Sequence, residues 1–219
     1  MKYECTILFI SLFFLSISVP EDAASQWPET GVPVCIDPAS QTSPVVIADT
    51  YGAVVLWTDK RSGSAQIFAQ RIDNSGNTVW TDNGILVLAP AVSYDACSDG
   101  SGGVILTWSY NTDIFAQRVT RDGILTCPPG GCVVCDFSYT QTGAVIAPDG
   151  TGGAYVAWNS LMWDPNFPHE EDYDVYVQRI DSMCGNTWGN IRAFSQYAGY
   201  PQISTSSDGG ALVLSLIHI

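Results

Sequence analysis

The sequence predicts an all-β fold built from successive four-stranded antiparallel units, and three observations predict it. A Gly-to-Trp segment recurs about every 50 residues. A Gln-Arg strand motif follows each of those tryptophans. No stretch sustains the apolar period of a helix, whereas short Val, Ile, Thr, Tyr and Trp runs alternate with Gly, Asp, Asn and Ser turns.

The repeat emerges when its copies are aligned. The segment from Gly52 to Trp57 matches Gly103 to Trp108 and Gly153 to Trp158, each with an Asp just before its turn (Asp49, Asp99, Asp149). The second motif carries Gln70-Arg71, Gln117-Arg118 and Gln178-Arg179. A third motif reads Gly76-x3-Trp80-x3-Gly84, then Gly123-x3-Cys127-x3-Gly131, then a shorter Gly185 to Trp188. Strands in the first unit are expected at 44–49, 53–58, 66–72 and 78–88. In the third of these both faces are apolar (Ile67 and Ala69 against Phe68 and Ile72). A sheet covered on both sides needs that pattern, as a propeller blade between two neighbours is. The expected architecture is therefore β-propeller blades of four antiparallel strands in an incomplete ring, about three blades plus partial ones.

The elements follow in order. Residues 1–25 read as a signal peptide: Lys2 precedes an apolar run from Thr6 to Val19, and Ala23 and Ser25 suit a cleavage site, Ser18 being a second one. Residues 26–43 repeat the third-motif frame as Trp27-x3-Gly31 to Cys35. They are expected to form a lone fourth strand of a split, ring-closing blade. Blade repeats are expected at 44–92, 93–139 and 140–199, with a fourth starting at 200–213. The last six residues, Leu214 to Ile219, read as foreign: they match the in-frame translation of a sequencing adapter, and Ser215 stands where the repeat requires Trp. On this reading the chain is a fragment.

These motifs resemble those of secreted bacterial β-propeller repeat proteins, whose units read D-x-GG-x4-W followed by D-I-Y-x-QR-x-D-x-x-G-x-x-x-W. The resemblance spans about residues 27–213. It implies the architecture and says little about activity.

Charge and cysteines narrow the function classes. The formal net charge is −14, and Lys2 and Lys60 are the only lysines. Nucleic-acid binding needs a basic face, so it is excluded, and an anionic membrane surface is disfavoured. No membrane span is expected after signal removal. Of the 7 cysteines, all but Cys5 follow the signal, and an even number in an exported chain favours disulfides without choosing the pairs. Cys127, Cys132 and Cys135 lack a fourth ligand at zinc spacing.

Candidate sites are weighed against structural roles. Trp57, Trp108 and Trp158 suit either sugar stacking or core packing, and their fixed frame favours the core. The Gln-Arg pairs suit an anion channel or hydrogen bonding between strands and blades, and recurrence favours the latter. Gly52, Gly103 and Gly153 are turn residues of the frame. The turns at 49–52, 99–103, 149–153 and 208–210 lack the carboxylate run of a calcium loop, so no cofactor is expected, calcium being the one considered. The individual feature is an insertion at 159–173, carrying Trp163, Asp164, His169, Glu170, Glu171 and Asp172. Extra loops on repeat scaffolds carry specificity, here for a protein or glycan partner or for calcium, the structural alternative being a solvated, variable surface loop.

No Ser-His-Asp order, phosphate loop or His-Glu-x-x-His motif is present. A sialidase-like propeller glycosidase would need an arginine triad, and only Arg61, Arg121 and Arg192 lie outside the repeat. The sequence thus favours a non-catalytic, secreted or cell-surface scaffold for binding, adhesion or display. A propeller glycoside hydrolase is the alternative.

Overall fold

The computed structural model describes residues 31–90, 92–162, 172–195 and 198–217. The expected signal peptide lies outside them. The described elements are all strands, and the chain divides into two compact units, Met1–Pro90 and Ala91–Ile219.

The first unit holds one sheet: β1 (Gln41–Asp49), β2 (Gly52–Asp59), β3 (Gln66–Ile72) and β4 (Ile85–Leu88), paired antiparallel in chain order. The β1–β2 turn is tight because Gly52 adopts φ +124°, and a Cβ there would meet the Ile72 carbonyl oxygen at 2.1 Å. Only glycine lets strand two start so close to the end of strand three. The strand expected at 78–88 is shorter than that. Residues 78–84 form a loop pinned by a single bridge, Ile72 to Thr78, because Gly76, Asn83 and Gly84 take positive φ there. Of the segment 26–43, expected to hold a lone strand, residues 26–30 lie outside the described residues, residues 31–40 carry no strand, and β1 starts at Gln41.

The second unit repeats the pattern. β5 (Tyr94–Ser98), β6 (Val104–Tyr110), β7 (Asp113–Val119) and β8 (Cys132–Cys135) form one sheet. β9 (Thr140–Pro148), β10 (Ala154–Met162), β11 (Asp172–Ile180) and β12 (Ile191–Phe194) form the next. A hairpin follows, β13 (Ala198–Thr205) with β14 (Ala211–Ile217). Leu214–Ile217, read from the sequence as foreign, are part of β14, with Leu212, Leu214 and Leu216 exposed. β9 lies against β5, β6 and β7, and β13 lies against β9, β10 and β11. Within this unit, the second sheet and the hairpin thus each present their first strand to the face of the sheet before them. Apolar side chains of both sheets merge into one core that includes Ile105, Ile114, Val134, Val156, Trp158 and Ile180. This is propeller-blade stacking. The described strands do not close a ring.

Candidate functional site

The repeated residues serve the scaffold. Trp57, Trp108 and Trp158 are buried and stand opposite Phe68, Phe115 and Tyr176 on the neighbouring strand. The ring pairs stack at 6.3, 6.0 and 6.1 Å between centroids. The edges of the first two rings meet Gly84 and Gly131, where a Cβ would approach Cη2 to 2.5 Å in both cases.

The repeated glutamines imitate backbone. Gln70 Oε1 accepts the amides of Arg71 and Trp80, both at 2.9 Å, and its Nε2 donates to the Thr81 carbonyl at 2.9 Å. Gln117 clasps Cys127, accepting its amide at 2.9 Å and donating to its carbonyl at 3.2 Å. Gln178 Oε1 accepts the Trp188 amide at 2.9 Å. In each unit a buried side chain satisfies the segment ten residues on, where no strand ladder runs.

The repeated arginines join the turns. Arg118 pairs with Asp99 at 2.7 Å and Arg179 with Asp149 at 2.7 Å, both carboxylates being fully buried. Arg118 also donates to the Ser182 carbonyl of the next sheet at 2.8 Å. Arg71 donates to the Tyr51 carbonyl at 2.6 Å. Asp99 and Asp149 each use Oδ1 to accept two amides of their own turn, ending at Gly103 and Gly153. Burial alone would raise the Asp149 pKa, but bonds from Thr151, Arg179 and Gly153 lower it.

Two arrangements at the β2–β3 and β10–β11 ends are individual. In the first, Asp59 stands two residues after Trp57. Its Oδ2 accepts Trp57 Nε1 at 2.9 Å and Arg61 Nη2 at 2.6 Å. The Arg61 guanidinium lies 3.9 Å over the Phe68 ring and reaches Cys35 Sγ at 3.3 Å. Burial pushes the Asp59 carboxyl up, yet the bonds from Arg61 and Trp57 prevail and hold it at about 2. In the second, Ser160 takes the place of Asp59. Gln141, Ser160 and Asp174 pair directly across β9, β10 and β11, so their side chains share a face. Ser160 Oγ, Gln141 Oε1 and Trp158 Nε1 are buried there without a hydrogen-bond partner among the described residues. Asp174 pairs with the half-exposed Arg192 at 3.2 Å. The register exposes this row, whereas the sequence holds no sign of it.

Of the insertion, Trp163, Asp164, His169, Glu170 and Glu171 lie outside the described residues. Asp172 opens β11, opposite Met162. Both histidines lie outside the described residues. Among the described residues no group of three or more His, Cys, Asp or Glu is placed to hold a metal. Cys127 and Cys132 form a disulfide. Cys35, Cys97, Cys135 and Cys184 are free and buried, and burial raises all four thiols, Cys135 and Cys184 to about 11. Among the described residues no helix is long and apolar enough to cross a membrane.

No family model and no curated protein matches the chain. Among solved structures it is similar to the subtype N10 neuraminidase-like protein of A/little yellow-shouldered bat/Guatemala/060/2010, with 15% identity and a TM-score of 0.43. The likeness covers 77% of this chain and 50% of that one. A likeness this distant identifies no activity.

Proposed function

We propose that the chain is a non-catalytic, extracellular binding scaffold whose stacked sheets display the β10–β11 connection to a protein or glycan. One contrast carries the reading. The polar residues of the repeat are spent inside it, as the Arg118–Asp99 and Arg179–Asp149 pairs and the Gln clasps illustrate. The β10–β11 end instead joins the insertion to buried polar groups that have no partner among the described residues. Such groups are costly unless something satisfies them.

The glycosidase alternative gains no support from Arg61 or Arg192, two of the three arginines outside the repeat. Arg61 and Arg192 are ion-paired to Asp59 and Asp174, so neither is poised for a substrate carboxylate.

The test replaces residues 163–171 with the Asn-Thr turn that joins β6 to β7. Parent and variant are then assayed on immobilised polysaccharides and extracellular proteins, alongside a fluorogenic sialoside. Binding by the parent that the variant loses, at equal melting temperature, supports the reading. Binding that survives the replacement, no binding by the parent, or turnover of the sialoside overturns it.

A further inference from the structure

Resting on the reading that the β10–β11 end is the binding end, we infer that its ligand is a neutral, hydroxyl-rich glycan, one hydroxyl of which is taken by the row Gln141–Ser160–Asp174 beside Trp158. A single replacement gives the row its character. In the first unit Trp57 Nε1 donates to Asp59 Oδ2 at 2.9 Å. Trp158 keeps that frame, stacked on Tyr176 at 6.1 Å as Trp57 is on Phe68 at 6.3 Å. Two residues on, however, stands Ser160, whose side chain is shorter than aspartate. Trp158 Nε1 and Ser160 Oγ are both buried without a hydrogen-bond partner among the described residues. Gln141 Nε2 donates to the carbonyls of Phe137 and Tyr139, whereas its Oε1 has no partner among the described residues. Ser160 is 1% exposed and Gln141 and Trp158 are 0% exposed, so bulk water does not offset these groups.

The donors and acceptors select the ligand group. The row offers an indole N–H, a carbonyl oxygen and a hydroxyl that does either, so the group must both accept and donate. A carboxylate, sulfate or phosphate only accepts, and it would lie against Gln141 Oε1 and the Asp174 carboxylate. An ammonium only donates and leaves the indole N–H unmet. A hydroxyl serves all three.

Charge and shape at the same end agree. The formal net charge is −14, and Arg192 is already paired with Asp174 at 3.2 Å, so a polyanionic glycan is repelled. The Gln141 amide donates to the Thr112 carbonyl at 2.9 Å, which brings the β6–β7 turn alongside. Tyr110 before that turn and Tyr139 before β9 are 42% and 44% exposed. Exposed amphipathic rings beside a few placed polar groups are the make-up of a site for a sugar. Tyr94 and Ser109, at the same end of the neighbouring sheet, add two buried hydroxyls without a partner among the described residues.

The probes are immobilised neutral polysaccharides (a glucan, a mannan, a galactan and chitin), with polygalacturonate and immobilised extracellular proteins as contrasts. Each is presented to the full chain and to two variants. Ser160→Ala removes a hydroxyl that has no bond to lose within the chain, so the melting temperature should hold. Its dissociation constant on the neutral polysaccharide that the parent binds should rise at least about tenfold. Ser160→Asn offers Trp158 Nε1 an acceptor and Gln141 Oε1 a donor from inside the chain, so it should bind as weakly and melt no lower. Undiminished binding by both variants overturns the inference, the row then holding water only, and leaves the reading of the β10–β11 end standing. Binding confined to polygalacturonate or to proteins does the same. A lower melting temperature for Ser160→Ala also overturns it, because the hydroxyl is then bonded within the chain. No binding by the full chain to any probe overturns both readings.

Discussion

Asp59 is a carboxylate whose burial and partners pull in opposite directions. Its folded value of about 2 lies below the ordinary 3.8, so protons bind the unfolded chain first. The stabilisation is complete above the unfolded value, roughly 2 kcal/mol at neutral pH, and is lost as pH falls through the folded one. Melting curves of the parent and Asp59→Asn should therefore differ at neutral pH and converge toward about pH 2. A gap that persists in acid would show that the carboxylate charge contributes nothing. Gln117 makes a second residue-scale case. Gln117→Ala strands the amide and carbonyl of Cys127, and denaturant titration should show a loss of roughly 1–3 kcal/mol. The repeat made Gln117 visible in the sequence, because ten residues separate it from the Cys127 that stands in the Trp80 place. Asp59 escaped notice because it occurs in one unit only, although an Asp two residues after Trp57 was a readable sign of an indole acceptor.

At the scale of the element, the turns and strands are held by ion pairs that cross them. Arg118 binds the β5–β6 turn through Asp99 and the next sheet through the Ser182 carbonyl. Arg118→Met leaves a fully buried carboxylate with its turn amides alone, so the cost should reach about 2–4 kcal/mol by chemical denaturation. Adding Asp99→Asn should restore part of it, and a double variant no better than the single would refute the charge argument. Strand existence was legible because the Gly-to-Trp and Gln-Arg frames fix where chains run extended. Strand length was not: the fourth strand of the first sheet shrinks to Ile85–Leu88 because the positive-φ residues Gly76, Asn83 and Gly84 precede it. The row Gln141–Ser160–Asp174 was equally hidden, since register between three strands, not spacing along one, brings it together.

For the whole molecule, cysteine chemistry reports how the sheets stack. Native alkylation followed by mass spectrometry should leave Cys35, Cys97, Cys135 and Cys184 unmodified, and unfolding should expose all four, since burial both covers and protonates these thiols. Cys127 and Cys132 should label only after reduction. Rapid labelling of Cys135 in the native chain would contradict the packing of β8 under the following sheet. The sequence by itself determined the unit, because a side chain required at the same place in every blade must recur at the same place in the chain. It also determined the all-β class and the strongly acidic balance. Tertiary structure alone decided which cysteines meet and which polar groups the scaffold satisfies. Those properties arise from pairing between distant segments, and backbone hydrogen bonds and buried faces are shared quantities that no single segment specifies.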